Sequence, residues 1–108
     1  MSYQHQSLAD VRWQTLTLAE QLGNVGSEVS RAVKARGSED RYQSAIARAL
    51  ELLDLTIADI RWHDRLKEIV RTREVLADAA SHGSEYSTSL EDLDRYFFYF
   101  AMAARLSR

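Results

Sequence analysis

Five consecutive aromatic residues, Tyr96-Phe97-Phe98-Tyr99-Phe100, run on into Ala101-Met102-Ala103-Ala104 and constrain this chain more than any other segment. They are half of its 2 Trp, 5 Tyr and 3 Phe, and no proline or glycine follows Gly83. The stretch therefore reads as a helix that is apolar on nearly every side. Such a helix cannot bury itself against one neighbour. It needs a bundle around it and a second protein surface beyond the bundle.

The rest of the composition agrees. A chain of 108 residues reads as one domain, 1–108, with a single core. Absent proline and only 4 glycines point to helices and away from collagen-like or loop-rich β classes. A hydrophobic fraction of 45% opposes disorder. With no cysteine, disulfides, zinc ribbons, iron–sulfur clusters and cysteine nucleophiles are excluded, which fits a cytoplasmic setting. Met1 to Ala9 is polar and carries no basic-then-apolar leader. No apolar run is long enough for a bilayer, so no membrane partner is expected. Net charge −2 is not the footprint of a nucleic-acid binder. Twelve of the 14 cations are arginine, however, which suits ion-pair networks or a local anion site.

Three breaks give four helices, at about 7–36, 38–59, 62–81 and 88–106. In the first, Leu8, Val11, Thr15, Leu18, Leu22, Val25, Val29 and Ala32 recur at spacings of three and four. The seam keeps its phase across Gly23 and Gly26, each costing roughly 1 kcal/mol against Ala. Gly37 reads as a left-handed stop and Ser38 as the next N-cap. The second seam is Ile46, Leu50, Leu53, Ile57 and Ile60. Continued further, it would place Asp64, Lys67, Arg71, Glu74 and Asp78 in the core, whereas the apolar positions are Trp62, Leu66, Ile69, Leu76 and Ala80. The stripe jumps by about two residues, roughly 200° around a helix. A break between Asp59 and His63, with Asp59 as N-cap, resolves the conflict. Ser81 to Ser87 is a loop, Thr88 and Glu91 form a capping box, and Leu90, Leu93, Phe97, Phe100 and Ala104 make the fourth seam. Glu91, Asp92 and Asp94 near the start of this helix, and Arg105 and Arg108 near its end, complement its dipole. The connection lengths favour an antiparallel up-down-up-down four-helix bundle, an all-α fold.

Chemistry is harder to find. Arg73 sits on the third seam, where a guanidinium needs a partner; Glu28, Glu51 and Asp54 are the candidates. The functional alternative is an anion site inside the bundle. Asn24, Glu28 and Arg31, then Glu51 and Asp54, then Glu74 beside Arg73, are candidates for a buried polar network. The same residues also fit solvated helix faces with i,i+4 pairs. No Glu-x-x-His pair suits a bundle di-iron site, and no Arg precedes a His with four to six residues between them, as a helical ribonuclease needs. Nucleophile elbows, P-loops and dinucleotide fingerprints are absent too. Catalytic, cofactor and metal residues are therefore all assigned as none. Trp13 and Trp62 fit core-edge packing better than a stacking platform for bases.

The segments Leu18–Ala32, Arg48–Asp59, Arg65–Ile69 with Arg73-Glu74, and Arg95-Tyr96-Phe97 resemble an uncharacterised family of small bacterial and archaeal proteins. More remotely, length and helix layout are similar to the four-helix bundles of the 23S rRNA intervening-sequence and retroelement accessory (Avd-like) type. That resemblance implies a bundle that assembles into rings, some members binding nucleic acid through a basic surface; this chain is mildly acidic instead. It implies no site.

Leu52, Leu55, Tyr96, Phe98, Tyr99 and Met102 fall off or beside the seams and are the interface candidates. The expected function is a non-enzymatic, self-associating interaction or scaffold module. A homo-oligomer is the expected assembly, with a heterologous protein as the other use of the surface. One alternative is an RNA- or DNA-associated accessory protein using Arg41, Arg48, Arg61, Arg65 and Lys67. The other is an enzyme with a carboxylate/arginine site in the bundle.

Overall fold

A computed structural model of the chain describes residues 11–83 and 85–107. The described residues are all-helical, with no strand. Four α-helices, α1 (Leu18–Lys34), α2 (Glu39–Ile57), α3 (Leu66–Ala80) and α4 (Leu90–Leu106), pack together, with a 3-10 segment at Ile60–Arg65 between α2 and α3.

The first helix starts later than the periodicity suggests. Thr17 is extended (φ −71°, ψ 165°) and closes a capping box: its hydroxyl accepts from Glu20 N at 3.1 Å, and Glu20 Oε1 accepts from Thr17 N at 2.8 Å. Ahead of it lie one helical turn at 11–13 and a bend. The reason is Trp13. A helix continuous from 7 would swing this residue off the seam, whereas the break buries its indole and leaves Val11 exposed. Burying an indole outweighs keeping one valine in phase. The expected seam residue Leu8 and helix-end residue Arg108 lie outside the described residues.

The other helix ends lie within four residues of the expected positions. Gly37 is not left-handed; no described glycine has positive φ. The α1–α2 turn is closed instead by Ala35 N to Ala32 O (3.1 Å) and Ser38 N to Ala35 O (2.8 Å), tight bonds that need no left-handed residue. Ser38 takes the N-cap position without a side-chain cap bond. The break after α2 falls where the phase changes: Asp59 caps the 3-10 segment, Trp62 is non-helical (φ −103°, ψ 23°), and α3 begins at Leu66 rather than near Trp62. The box opening α4 is Ser89/Asp92, one residue beyond Thr88/Glu91.

α1 sits between α2 and α4 and packs heavily on both; α3 lies on α2 and touches α4 lightly. The core is Leu22, Val25 and Val29 of α1, Ile46, Ala49 and Leu53 of α2, Ile69 and Leu76 of α3, and Leu90, Leu93 and Phe97 of α4. Ile60, expected on the second seam, is exposed, because the chain has left the helix before reaching it. The two glycines of α1 are a contact rather than a weakness. A Cβ on Gly23 would lie 3.0 Å from Ala101 Cα, and one on Gly26 would lie 2.6 Å from Phe97 Cβ. Their bare backbone is what lets α4 approach α1 so closely.

Candidate functional site

The buried polar group of this protein lies where α1 meets the α2–α3 junction. Asp59 is its centre, with a side chain only 2% exposed. Its Oδ1 accepts from Arg61 N (3.1 Å) and Arg61 Nε (3.0 Å), and its Oδ2 from Arg61 Nη2 (2.7 Å) and Gln21 Nε2 (3.0 Å). The Gln21 amide also donates to Trp13 O (2.8 Å), and its oxygen accepts from Trp62 Nε1 (3.0 Å). Trp13 Nε1 donates to the Thr56 hydroxyl (3.1 Å), which donates onward to Leu52 O (3.2 Å). Arg61 reaches back to Leu16 O (2.7 Å), and its guanidinium lies 4.4 Å from the centre of the Trp62 ring.

This clasp ties the segment before α1 to the junction after α2. The Arg61 guanidinium, with help from Gln21, holds the Asp59 carboxyl down at about 2 against the pull of burial. Both Asp59 oxygens and every Gln21 polar hydrogen are occupied, and no described buried side-chain N or O lacks a partner. A carboxylate so fully bonded has no lone pair to offer a reacting proton. The arrangement fastens these segments to one another. Of its members, only Asp59 has its role legible in the sequence, as a cap; there Trp13 and Trp62 read as core-edge packing and Arg61 as a nucleic-acid contact. Gln21 sits beside Leu22 with no local cue, and its role depends on contacts 38 and 41 residues away.

The residues expected to form a buried polar network do not come together. Asn24, Arg31, Glu51, Asp54 and Glu74 are exposed, and Glu28 and Arg73 are intermediate. Arg73 does pair with one of the three expected partners: its Nε and Nη2 fork onto Asp54 Oδ1 and Oδ2 at 2.6 and 3.2 Å. That pair bridges α2 and α3 at the surface, not inside the bundle. Arg31 meets Glu28 at 3.1 Å, Arg48 meets Glu51 at 2.7 Å, and Glu74 accepts from the Tyr86 hydroxyl at 3.0 Å. The two ion pairs are local, because residues three or four apart on a wet helix face meet each other before anything else; the Tyr86 contact ties the loop after α3 back onto that helix. Among the cations considered for nucleic acid, Arg48, Arg61 and Arg65 are each held by a carboxylate, the last by Glu68 at 2.7 Å.

The interface candidates divide. Leu52 is buried in the core, because the face of α2 beside its seam also packs inward. Leu55 and Tyr96 pack against that core while half-buried; the Tyr96 ring lies edge-on to Phe97 and Phe100 at centroid distances of 5.2 and 5.3 Å. Phe98 and Tyr99 remain 59% and 71% exposed, and Met102 is intermediate. Leu106, 82% exposed, continues the same side of α4. Phe98 also forms one wall of a groove between α1 and α4 whose other wall includes Ser27, Ser30 and Lys34. No described helix is long and apolar enough to cross a membrane. No family model, curated protein or solved structure matches this chain significantly.

Proposed function

We propose that this chain is a self-associating helical interaction module without catalytic chemistry, and that its working surface is the outer face of α4. We read the scaffold as an antiparallel up-down-up-down four-helix bundle. Supporting that reading, Gly23 meets Ala101 while Gly26 meets Phe97, and Tyr42 bonds to Ala80 O while Asp54 bonds to Arg73. In both helix pairs one partner's number falls as the other's rises.

One observation carries the functional reading. Phe98, Tyr99 and Leu106 stand in solvent on one side of a helix, with Met102 between them. Phe98 gains roughly 1.5–3 kcal/mol from full burial, Met102 less because it is already partly buried, and contiguous apolar surface of this kind marks interaction sites. Homo-oligomers with closed symmetry are the commonest way to cover it. A cytoplasmic setting is part of the same reading. The test is light scattering: the expected result is a mass above one chain for the wild type and a helical monomer for the double variant Phe98→Glu, Met102→Lys. A wild-type chain that stays monomeric at tens of micromolar overturns the reading.

A further inference from the structure

The outer face of α4 carries more information than its exposure. Arg95, Tyr99, Met102 and Leu106 follow one another at spacings of four, three and four, the rhythm of a helix-to-helix seam. Phe98 flanks this stripe on the side of α1. The buried residues of the same helix, Leu90, Leu93, Phe97 and Ala104, occupy the opposite side. α4 therefore has two seams, and among the described residues only one is filled.

Charge along the helix is polarised, apart from Arg95, which is paired with Asp92. Glu91 and Asp92 lie in its first turn, with Asp94 just beyond, and Arg105 lies in its last. This order matches the helix's own dipole, and it decides how a second α4 can lie on the first. Side by side and parallel, the acidic ends would face each other and the dipoles would repel. Antiparallel, each Arg105 faces the acidic end of the other helix and the dipoles attract. The spacing has the same symmetry: reversing the stripe 95, 99, 102, 106 about its midpoint returns it to itself. A self-complementary face of this kind closes by a two-fold axis.

We infer that the occupant of this face is a second copy of the same chain, docked α4 to α4 in antiparallel order, with the two-fold axis between Tyr99 and Met102. Tyr99 of one copy lies over Met102 of the second copy, and Arg95 of one lies near Leu106 of the second. This rests on the self-association reading above and adds its geometry.

The absence of native cysteine makes the test direct. Single variants Tyr99→Cys, Arg95→Cys and Leu106→Cys place a lone thiol on exposed positions of the full chain. At 1.5 Å rise per residue, the two copies of position 99 are about 5 Å apart along the axis, and the two copies of position 95 about 16 Å. Under mild oxidation Tyr99→Cys forms covalent dimers, Arg95→Cys and Leu106→Cys alone do not, and an equal mixture of those two gives the mixed dimer. Arg105→Glu raises the dimer dissociation constant about tenfold through its two symmetry-related contacts. Adding Asp94→Arg to that variant restores it. If Arg95→Cys links to itself, the pair is parallel and the inference fails while self-association stands. A chain that is oligomeric by light scattering yet forms none of these links uses another surface, with the same consequence. A monomeric wild type removes both.

Discussion

At the scale of single residues, Asp59 and the glycines of α1 carry the sharpest consequences. The Asp59 carboxyl falls from 3.8 to about 2 on folding, chiefly through its bonds to Arg61. A depressed carboxyl contributes stability that is fully present above the unfolded value and is lost as pH falls through the folded one. Between about pH 4 and pH 2 the wild type therefore loses roughly 2 kcal/mol from this group alone. Asp59→Asn is less stable by roughly 2–3 kcal/mol at neutral pH. Urea denaturation across that acid window shows the gap between the two proteins closing. For Gly26→Ala, a helix-propensity gain of roughly 1 kcal/mol meets a contact of 2.6 Å with Phe97 Cβ, which is fixed to a fully buried backbone. Overpacking costs about 1–3 kcal/mol or more, so the variant loses stability. Gly37→Ala, with open space at its Cβ and no positive φ, gains about 0.4–1 kcal/mol in the same titration.

Among the elements, the caps decide where each helix starts and stops. α3 ends in a left-handed motif: Gly83 N donates to Asp78 O at 2.7 Å and His82 N to Ala79 O at 3.2 Å. The residue bearing positive φ (61°) is His82, not the neighbouring glycine. His82→Gly relieves that strain and raises the urea midpoint, by about 0.5–1 kcal/mol in stability. The same local chemistry shows what was legible. The break at Asp59 could be read because a jump in the apolar stripe is a property of the sequence itself. The Thr17/Glu20 box was equally visible, as Thr-x-x-Glu, but the run of apolar residues through Val11 and Leu18 concealed it. Periodicity describes which residues are able to share a face; it does not say that the backbone between them is continuous.

For the whole molecule, folding and assembly become one equilibrium once α4 needs a second surface. A chain that associates only when folded is stabilised by its own concentration. The thermal midpoint of the wild type therefore rises as protein concentration is increased, and that of Phe98→Glu, Met102→Lys does not. Circular dichroism melts at several concentrations measure both. A midpoint that is independent of concentration in the wild type counts against the proposed role of α4.

Local patterns by themselves determined that the chain is helical, where three of its breaks fall, and that the last helix carries more apolar surface than one seam absorbs. Each follows from period, caps and composition, which act over a few residues. The identity of the buried polar group belonged to the tertiary structure alone. Gln21 and Trp62 are 41 residues apart, Trp13 and Thr56 are 43 apart, and nothing local distinguishes them from surface glutamine or core-edge tryptophan. Arg73 was recognisable as needing a carboxylate, yet whether that pair is buried or wet depended on how α3 lies against α2. The glycines of α1 looked like defects for the same reason: the cost of a missing side chain is local, whereas its benefit appears only when another helix arrives within 3 Å of where a Cβ would stand.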